Sequence, residues 1–372
     1  MYKLTNSKLQ WISAERYLFW GRTNVLGQNM LFDDRPKEER KALFDREKEI
    51  EELKKSLRHP IIVLTGIRRI GKTSVLKVFL KEIKRESLLL DARALPLNYG
   101  RREFFNLLAS SLRPSLPRLG EILKSVRGIK LAGLEIEFEW RKGGTSLVEL
   151  FDKLNERNLI IAIDEAQRLR GPFSEEVRNA IAHAYDYGRN LNFILTGSEV
   201  GLLYDFLGTE DPSSPLYGRY IHEVRLERFD ERESLEFLEK GFEEVGVRVP
   251  REVLDQAVRE LDGIPGWLTF FGSSYLAGKR DLDAIKRAAI QLALEELKNL
   301  VKGRSPRFPM VLKGIAEGRR SWTELKRFVE EREGRTVSSS VLQNVLEALE
   351  KMSLLKDYAF LDPVYEKASK LL

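Results

Sequence analysis

Eight consecutive residues, Gly66-Ile67-Arg68-Arg69-Ile70-Gly71-Lys72-Thr73, limit what this chain can fold into more than any other stretch. They fit the pattern G-x-x-x-x-G-K-[ST]. Before them, Pro60-Ile61-Ile62-Val63-Leu64-Thr65 is an apolar, β-branched run that reads as a buried strand; after them, Val75, Leu76, Phe79, Leu80 and Ile83 recur at helical spacing. The octapeptide is therefore expected to join a strand to a helix. In that setting its backbone N–H groups and the positive end of the helix dipole converge on one spot, making a cradle for phosphate oxygens that extends to Ser74. Glycines at both ends let the backbone wrap without Cβ clashes, Lys72 can reach the β and γ phosphates, and the Thr73 hydroxyl is a hard oxygen ligand for Mg²⁺. The competing reading, a chance match in a glycine-containing turn, is opposed by the flanking strand and helix.

A second buried-strand run, Leu159-Ile160-Ile161-Ala162-Ile163, ends in Asp164-Glu165. Acidic residues after an apolar strand are commonly solvated strand ends. Coupled to the loop they acquire roles: Asp164 with Thr73 as Mg²⁺ ligands, and Glu165 as the group that orients and deprotonates an attacking water. The pair argues for hydrolysis, with Lys72 and Glu165 catalytic. The chain has neither the N-K-x-D guanine-reading motif nor an L-S-G-G-Q signature, so ATP is the expected nucleotide.

A third strand, Leu191-Asn192-Phe193-Ile194-Leu195, runs into Thr196-Gly197-Ser198 and resembles the sensor 1 strand of AAA+ ATPases. Thr196 and Ser198 are the candidates for contact with the γ-phosphate or the water; Ser198 is equally placed to N-cap the following Glu199 to Phe206 segment. Farther on, Pro215-Leu216-Tyr217-Gly218-Arg219 precedes the strand Tyr220 to Val224. Arg219 there resembles an arginine finger, whose guanidinium offsets charge on the transferring phosphoryl group. A surface arginine after a glycine turn is the alternative.

These features together resemble the predominantly archaeal ATPase family within the AAA+ and signal-transduction NTPase group, from about Met30 to the C-terminus. The likeness also rests on Phe44-Asp45-Arg46-Glu47-Lys48-Glu49, on Thr196 to Leu203, and on Asp262-Gly263-Ile264-Pro265-Gly266. In relatives the first of these is an h-h-G-R-x-x-E box beside the adenine. Arg46 and Glu49 match it, while Asp45 replaces the glycine. The resemblance also implies that Pro265, in a G-x-P motif, packs near the adenine. The helix after it begins Trp267-Leu268-Thr269-Phe270-Phe271 and offers no sensor 2 arginine.

Composition narrows the remaining classes. The 372 residues include no cysteine, which excludes disulfides and zinc-thiolate sites. Of the three histidines, His59, His183 and His222, none is spaced as a metal pair. No apolar run approaches the roughly 20 residues needed to span a bilayer, so a cytoplasmic protein is expected. Residues 1–29 are basic and aromatic, with Lys3, Lys8, Arg16 and Arg22 against Glu15, and with Tyr2, Trp11, Tyr17, Phe19 and Trp20. They read either as an arm for nucleic acid or membrane, or as an extension upstream of a natural start at Met30.

The expected fold class is α/β: a five-stranded parallel sheet sandwiched by helices, in the order 5-1-4-3-2 as in AAA+ relatives, followed by a helical lid and a winged helix. The expected domains are an N-terminal extension (1–36), the ATPase core (37–225), the lid (226–302) and the winged-helix domain (303–372). Within the core, Ile129 to Trp140 alternates in polarity and reads as a half-buried strand inserted before a helix near Ser146 to Asn155. Asp230 and Glu233 form a capping-box signature, and Ser321-Trp322-Thr323-Glu324 starts a helix. The third winged-helix segment exposes Ser339, Ser340, Gln343, Asn344, Glu347 and Glu350, with Lys351 its sole cation. Duplex binding relies on phosphate neutralisation, so DNA and a protein client stand as equal partners.

This reading is an ATPase of the AAA+ type that uses Mg²⁺ and ATP to reposition its lid and winged helix. A slow nucleotide switch gating a protein partner and an origin-recognition-like DNA-binding protein are the alternatives. Oligomerisation is compatible with a trans role for Arg219.

Overall fold

The computed structural model describes residues 30–133, 135–139 and 143–372. The basic aromatic arm at 1–29, and Leu134 and Trp140 of the alternating segment, lie outside the described residues. Helix α1 (Glu47–Ser56) leads to strand β1 (Ile61–Thr65), α2 (Lys72–Glu82), β2 (Glu86–Asp91), α3 (Arg101–Leu112), α4 (Leu116–Lys124), β3 (Ile129–Ala132) and β4 (Glu135–Phe138). Then come α5 (Leu147–Leu154), β5 (Leu159–Asp164), α6 (Ser174–Tyr187), β6 (Leu191–Gly197), α7 (Val200–Leu207) and β7 (His222–Arg225). Helices α8 (Glu231–Glu243), α9 (Arg251–Leu261), α10 (Pro265–Leu276), α11 (Leu282–Val301), α12 (Arg307–Ala316), α13 (Trp322–Glu333) and α14 (Ser339–Lys351) come next. The chain closes with β8 (Leu355–Lys356), β9 (Ala359–Phe360) and α15 (Pro363–Ser369).

Two compact units result. One comprises Asp45–Glu227 with Ser338–Leu361. Its sheet has the order β2-β5-β6-β1-β7, with every pairing parallel. Counted among core strands this is the 5-1-4-3-2 order read from the other edge. The three inner strands β1, β5 and β6 are buried at every residue, which is why they read as continuous apolar runs, while the edge strands β2 and β7 are only partly buried. Phe151 of α5 packs its ring 5.4 Å from that of Phe193 in β6, and Ser146 caps α5 by accepting from the Glu149 N–H.

The alternating segment is a hairpin rather than the single strand expected. Strands β3 and β4 pair antiparallel, with Ala132 opposite Glu135. Gly133, at φ +62, adopts the left-handed conformation that allows the turn.

The second unit comprises the described residues up to Phe44, with Arg228–Val337 and Asp362–Leu372. Asp230 and Glu233 make the expected capping box at α8, through bonds of 2.7 and 2.8 Å. Phe32 is completely buried beside Phe237 and Phe242, and the bare Cα atoms of Gly241 and Gly272 make room for its ring. The Trp267 indole donates to Asp362 Oδ2 at 2.8 Å, while the other oxygen of Asp362 accepts from the N–H of Val364 and caps α15. The winged-helix segment thus contributes α12, α13 and α15 to this unit and α14, β8 and β9 to the first.

Candidate active site

Four strands of the first unit end at one place: β1 at Thr65, β2 at Asp91, β5 at Asp164 and β6 at Gly197. In an open parallel sheet the carboxyl ends of the strands form the crevice for ligands. The loop from β1 to α2 lies there. Gly66 has φ +142, and a Cβ on it would meet Leu226 O at 2.8 Å and Ile70 Cγ2 at 2.9 Å, so the backbone path requires glycine. Gly71, at φ +99, precedes α2 and gives its first turn no side-chain cap, and a helix amino terminus of this kind favours an anion. Ile70 is buried under the loop. Lys72, Thr73 and Ser74 occupy the first turn of α2.

Lys72 is 5% exposed, and its Nζ donates to the carbonyl oxygens of Gly66 and Ile67 at 2.8 Å each. Burial pushes its ammonium down to about 8, against the pull of Glu165 and Asp164. Arg68 forms an ion pair with Glu199, the residue before α7. Asp164 is 2% exposed: its Oδ2 accepts the Thr73 hydroxyl at 2.9 Å and its Oδ1 accepts that of Thr196 at 2.5 Å. The Thr196 hydroxyl also accepts the Glu165 N–H at 3.0 Å, so one side chain positions both acidic residues.

Glu165 sits at φ +55, a left-handed conformation that turns its side chain out of line with the strand. Three donors meet at its Oε2: the Ser198 hydroxyl at 2.7 Å, the Gln167 amide at 2.6 Å and the Ser198 N–H at 3.4 Å. Its Oε1 has no hydrogen-bond partner among the described residues. Burial would raise the carboxyl, yet Lys72, the Ser198 and Gln167 bonds and Arg68 outweigh it and hold it below the usual range. Ser198 is therefore not the cap of the following helix. Glu199 holds the N-cap position of α7 without a side-chain bond, and the Ser198 hydroxyl is spent on Glu165.

Three further residues enter the site without a motif. Gln167 bonds Glu165 from two residues along. Asp91 faces Asp164 across the β2–β5 ladder. Arg93 forks onto Asp91 through Nε and Nη2, both at 2.8 Å, and its Nη2 lies 3.4 Å from Asp164 Oδ2. That fork raises the Arg93 guanidinium and, against the effect of burial, holds Asp91 below its ordinary value. A polar residue closing β2, next to the Asp-Glu strand, was the available signal.

Arg46, Arg219 and Pro265 complete the expected set. Arg46 is buried and donates to Asp45 O, to Glu227 O at 2.9 Å and to Glu49 at 3.4 Å, which places its guanidinium at the base of α1. Asp45 has φ +47, the conformation that favours glycine and that Asp tolerates better than most residues. Arg219 pairs with Asp186 at 2.7 and 3.2 Å and donates to Pro215 O. Asp186 lies in the last turn of α6 and Arg219 precedes β7, so this pair lies at the amino-terminal edge of the sheet, opposite the loop. Pro265 belongs to the second unit as the first residue of α10, and Gly263 before it, at φ +65, accepts the Phe229 N–H at 2.9 Å.

The donor set suits Mg²⁺ and a nucleotide polyphosphate. A hydroxyl and a carboxylate, both hard oxygens, converge at 2.9 Å beside a lysine and an uncapped helix start. Among the described residues no cluster of three or more His, Cys, Asp or Glu forms another metal site, and no helix is long and apolar enough to cross a membrane.

Comparison with known proteins places this architecture. No curated protein matches the chain. Residues 43–271 match the family described as an ATPase domain predominantly from Archaea, and residues 302–367 match the C-terminal winged helix-turn-helix domain of MCM proteins. The Walker-type ATPase paby2304 of Pyrococcus abyssi is 39% identical, with a TM-score of 0.80 over 92% of this chain and all of that one. The ORC2 protein of Aeropyrum pernix in its ADP form is 17% identical at a TM-score of 0.51 over 87% of this chain and 89% of that one, a likeness of fold alone. By family match over more than half its length, and by its likeness to a Walker-type ATPase, this chain belongs to the predominantly archaeal ATPase family.

Proposed function

We propose that this chain binds Mg²⁺-ATP and hydrolyses it, and that its nucleotide state repositions the helical lid and the winged-helix segment. Thr73 and Asp164 would hold the metal, which when bound would neutralise phosphate charge and polarise the terminal phosphoryl group. Lys72 and the N–H groups at the start of α2 bind the phosphates. Glu165 takes the proton of the attacking water on Oε1, since Oε2 is fixed by Ser198 and Gln167. The observation that carries the reading is this one-sided clamp on the Glu165 carboxylate, with three donors on Oε2 and, among the described residues, none on Oε1. Arg219 serves a neighbouring subunit, because its own loop is at the other edge of the sheet.

Coupling to the winged helix is supported by the residues just after β6. Glu199 pairs with Arg68 of the phosphate loop, and the next residue, Val200, donates its N–H to the Ser353 hydroxyl at 3.0 Å. Lys351, at the end of α14, pairs with Asp205 of α7 at 2.9 Å. A path of two residues, Glu199 and Val200, thus joins the loop to the turn after α14, the third helix of the winged segment. The same pairing uses the only cation of that helix, which favours a protein client over duplex DNA.

A second reading has its own support. Against the effect of burial, the Lys72 charge and the hydrogen bonds to the carboxylate form hold Glu165 low and make it a weak base, which favours slow turnover and a switch over an engine. Steady-state ATP hydrolysis with and without duplex DNA tests both. Absence of turnover and of ATP binding refutes the hydrolase, fast basal turnover refutes the switch, and stimulation by DNA refutes the protein client.

A further inference from the structure

Arg93 lies in the short turn after β2, and its backbone and side chain are both held by Asp91. A turn clamp needs only Asp91. Arg93 reaches beyond it, to within 3.4 Å of Asp164 Oδ2, the oxygen that also accepts the Thr73 hydroxyl. Its side chain is 52% exposed, so no packing forces it there. Guanidinium stays charged at every working pH and bonds phosphate in a planar fork. A dication held by Thr73 and Asp164 would repel the guanidinium from Asp164 Oδ2 while Asp91 keeps it at the end of β2, where phosphoryl oxygens bound beside that dication would offer it a second negative partner.

We propose that Arg93 is a further catalytic residue of this chain, a guanidinium supplied in cis that bonds the terminal phosphoryl oxygens of ATP. The proposal rests on the ATP-hydrolase reading. In the reaction the water oxygen bonds to the γ-phosphorus while the bond from that phosphorus to the β–γ bridging oxygen breaks. The bridging oxygen keeps the electron pair and leaves with ADP, and Glu165 takes the water proton. Arg93 stabilises the negative charge on the transferring group from the β2 side, where the sequence motifs place no cation. Since ADP lacks the γ-phosphoryl group, Arg93 also distinguishes ATP from ADP.

The test compares wild type, Arg93→Gln, Arg93→Lys and Asp91→Asn in binding Mg²⁺-ADP and a non-hydrolysable Mg²⁺-ATP analogue, and in single-turnover hydrolysis. Arg93→Gln is expected to keep wild-type ADP affinity, to weaken the analogue about tenfold or more, and to slow hydrolysis by ~10²-fold or more, as loss of a phosphoryl-stabilising arginine does. Arg93→Lys should regain part of the analogue's affinity. Asp91→Asn, which loosens the fork but keeps the guanidinium, should preserve the preference for the analogue over ADP. Equal weakening of both nucleotides in Arg93→Gln, or of neither, overturns the role of Arg93 and leaves the hydrolase reading intact. Wild-type protein that binds neither nucleotide overturns the hydrolase reading itself.

Discussion

The Ser198 hydroxyl donates to Glu165 Oε2 at 2.7 Å, joining the turn after β6 to the carboxylate after β5. Because the Gln167 amide lands on the same oxygen, the carboxylate is held in one orientation, its other oxygen without a hydrogen-bond partner among the described residues. Ser198→Ala should lower turnover by about tenfold through loss of positioning, with ATP affinity unchanged. Ser198→Thr, which keeps a hydroxyl, should recover most of it. Steady-state kinetics beside equilibrium ATP binding make the check, and equal turnover in Ser198→Ala and wild type removes Ser198 from the site.

Glu165→Gln keeps the shape of the side chain and removes the base. It should retain ATP while hydrolysing it more slowly by ~10²-fold or more. The measurement is ATP occupancy after incubation, read with phosphate release; unchanged release rules Glu165 out as the base.

Lys72 offers a pH test. Burial lowers its ammonium to about 8, and phosphate binds the charged form. ATP affinity measured without Mg²⁺ should therefore be level below that value and weaken as pH rises through it, by up to about tenfold per pH unit. Lys72→Ala should weaken ATP by about 1.5–3 kcal/mol, the range for hydrogen bonds to charged groups, and should lose the alkaline decline. A decline that persists in Lys72→Ala belongs to another group.

Sequence reading reached the parts of this site whose chemistry is local. Gly66, Gly71, Lys72 and Thr73 must be contiguous to wrap a phosphate, and Asp164 and Glu165 must end a strand, so both leave patterns in the chain. The inner strands were legible because burial on both faces demands unbroken apolar runs. Asp91, Arg93 and Gln167 were not, because their roles depend on β2 pairing with β5 and on a turn of side chains after Glu165, neither of which has a fixed spacing. The hairpin β3–β4 was hidden for a related reason. Alternation of polarity is the same in one long strand and in two short ones, and Gly133 alone marked the turn.

Arg219 is held by Asp186 at the sheet edge opposite the phosphate loop, so service to its own nucleotide would require it to cross the sheet. If it serves a neighbour, turnover per subunit should rise with protein concentration, and Arg219→Ala should lose the rise while binding ATP normally. Mixing Arg219→Ala with Glu165→Gln should restore part of the activity. Stability should hardly change, since exposed ion pairs contribute at most about 1 kcal/mol. Flat turnover across the monomer-to-oligomer range, with no rescue on mixing, ends the trans role.

Gly201 tests the path from the loop to the winged helix. It is the second residue of α7, and a Cβ on it would lie 2.6 Å from Lys351 Cα and 2.8 Å from Lys351 Cγ, so any side chain must push α14 away. Gly201→Leu should therefore undock α14, seen as faster amide exchange at Val200 and in the wing. Lys351→Ala removes only an exposed ion pair and should do far less. If α7 transmits nucleotide state, undocking should loosen Glu199 from Arg68, freeing that guanidinium for phosphate and tightening ATP by about tenfold or less, the worth of one charge-assisted bond in a partly solvated site. Faster exchange in Gly201→Leu with ATP affinity unchanged would separate docking from nucleotide, leaving α14 a passive neighbour of α7.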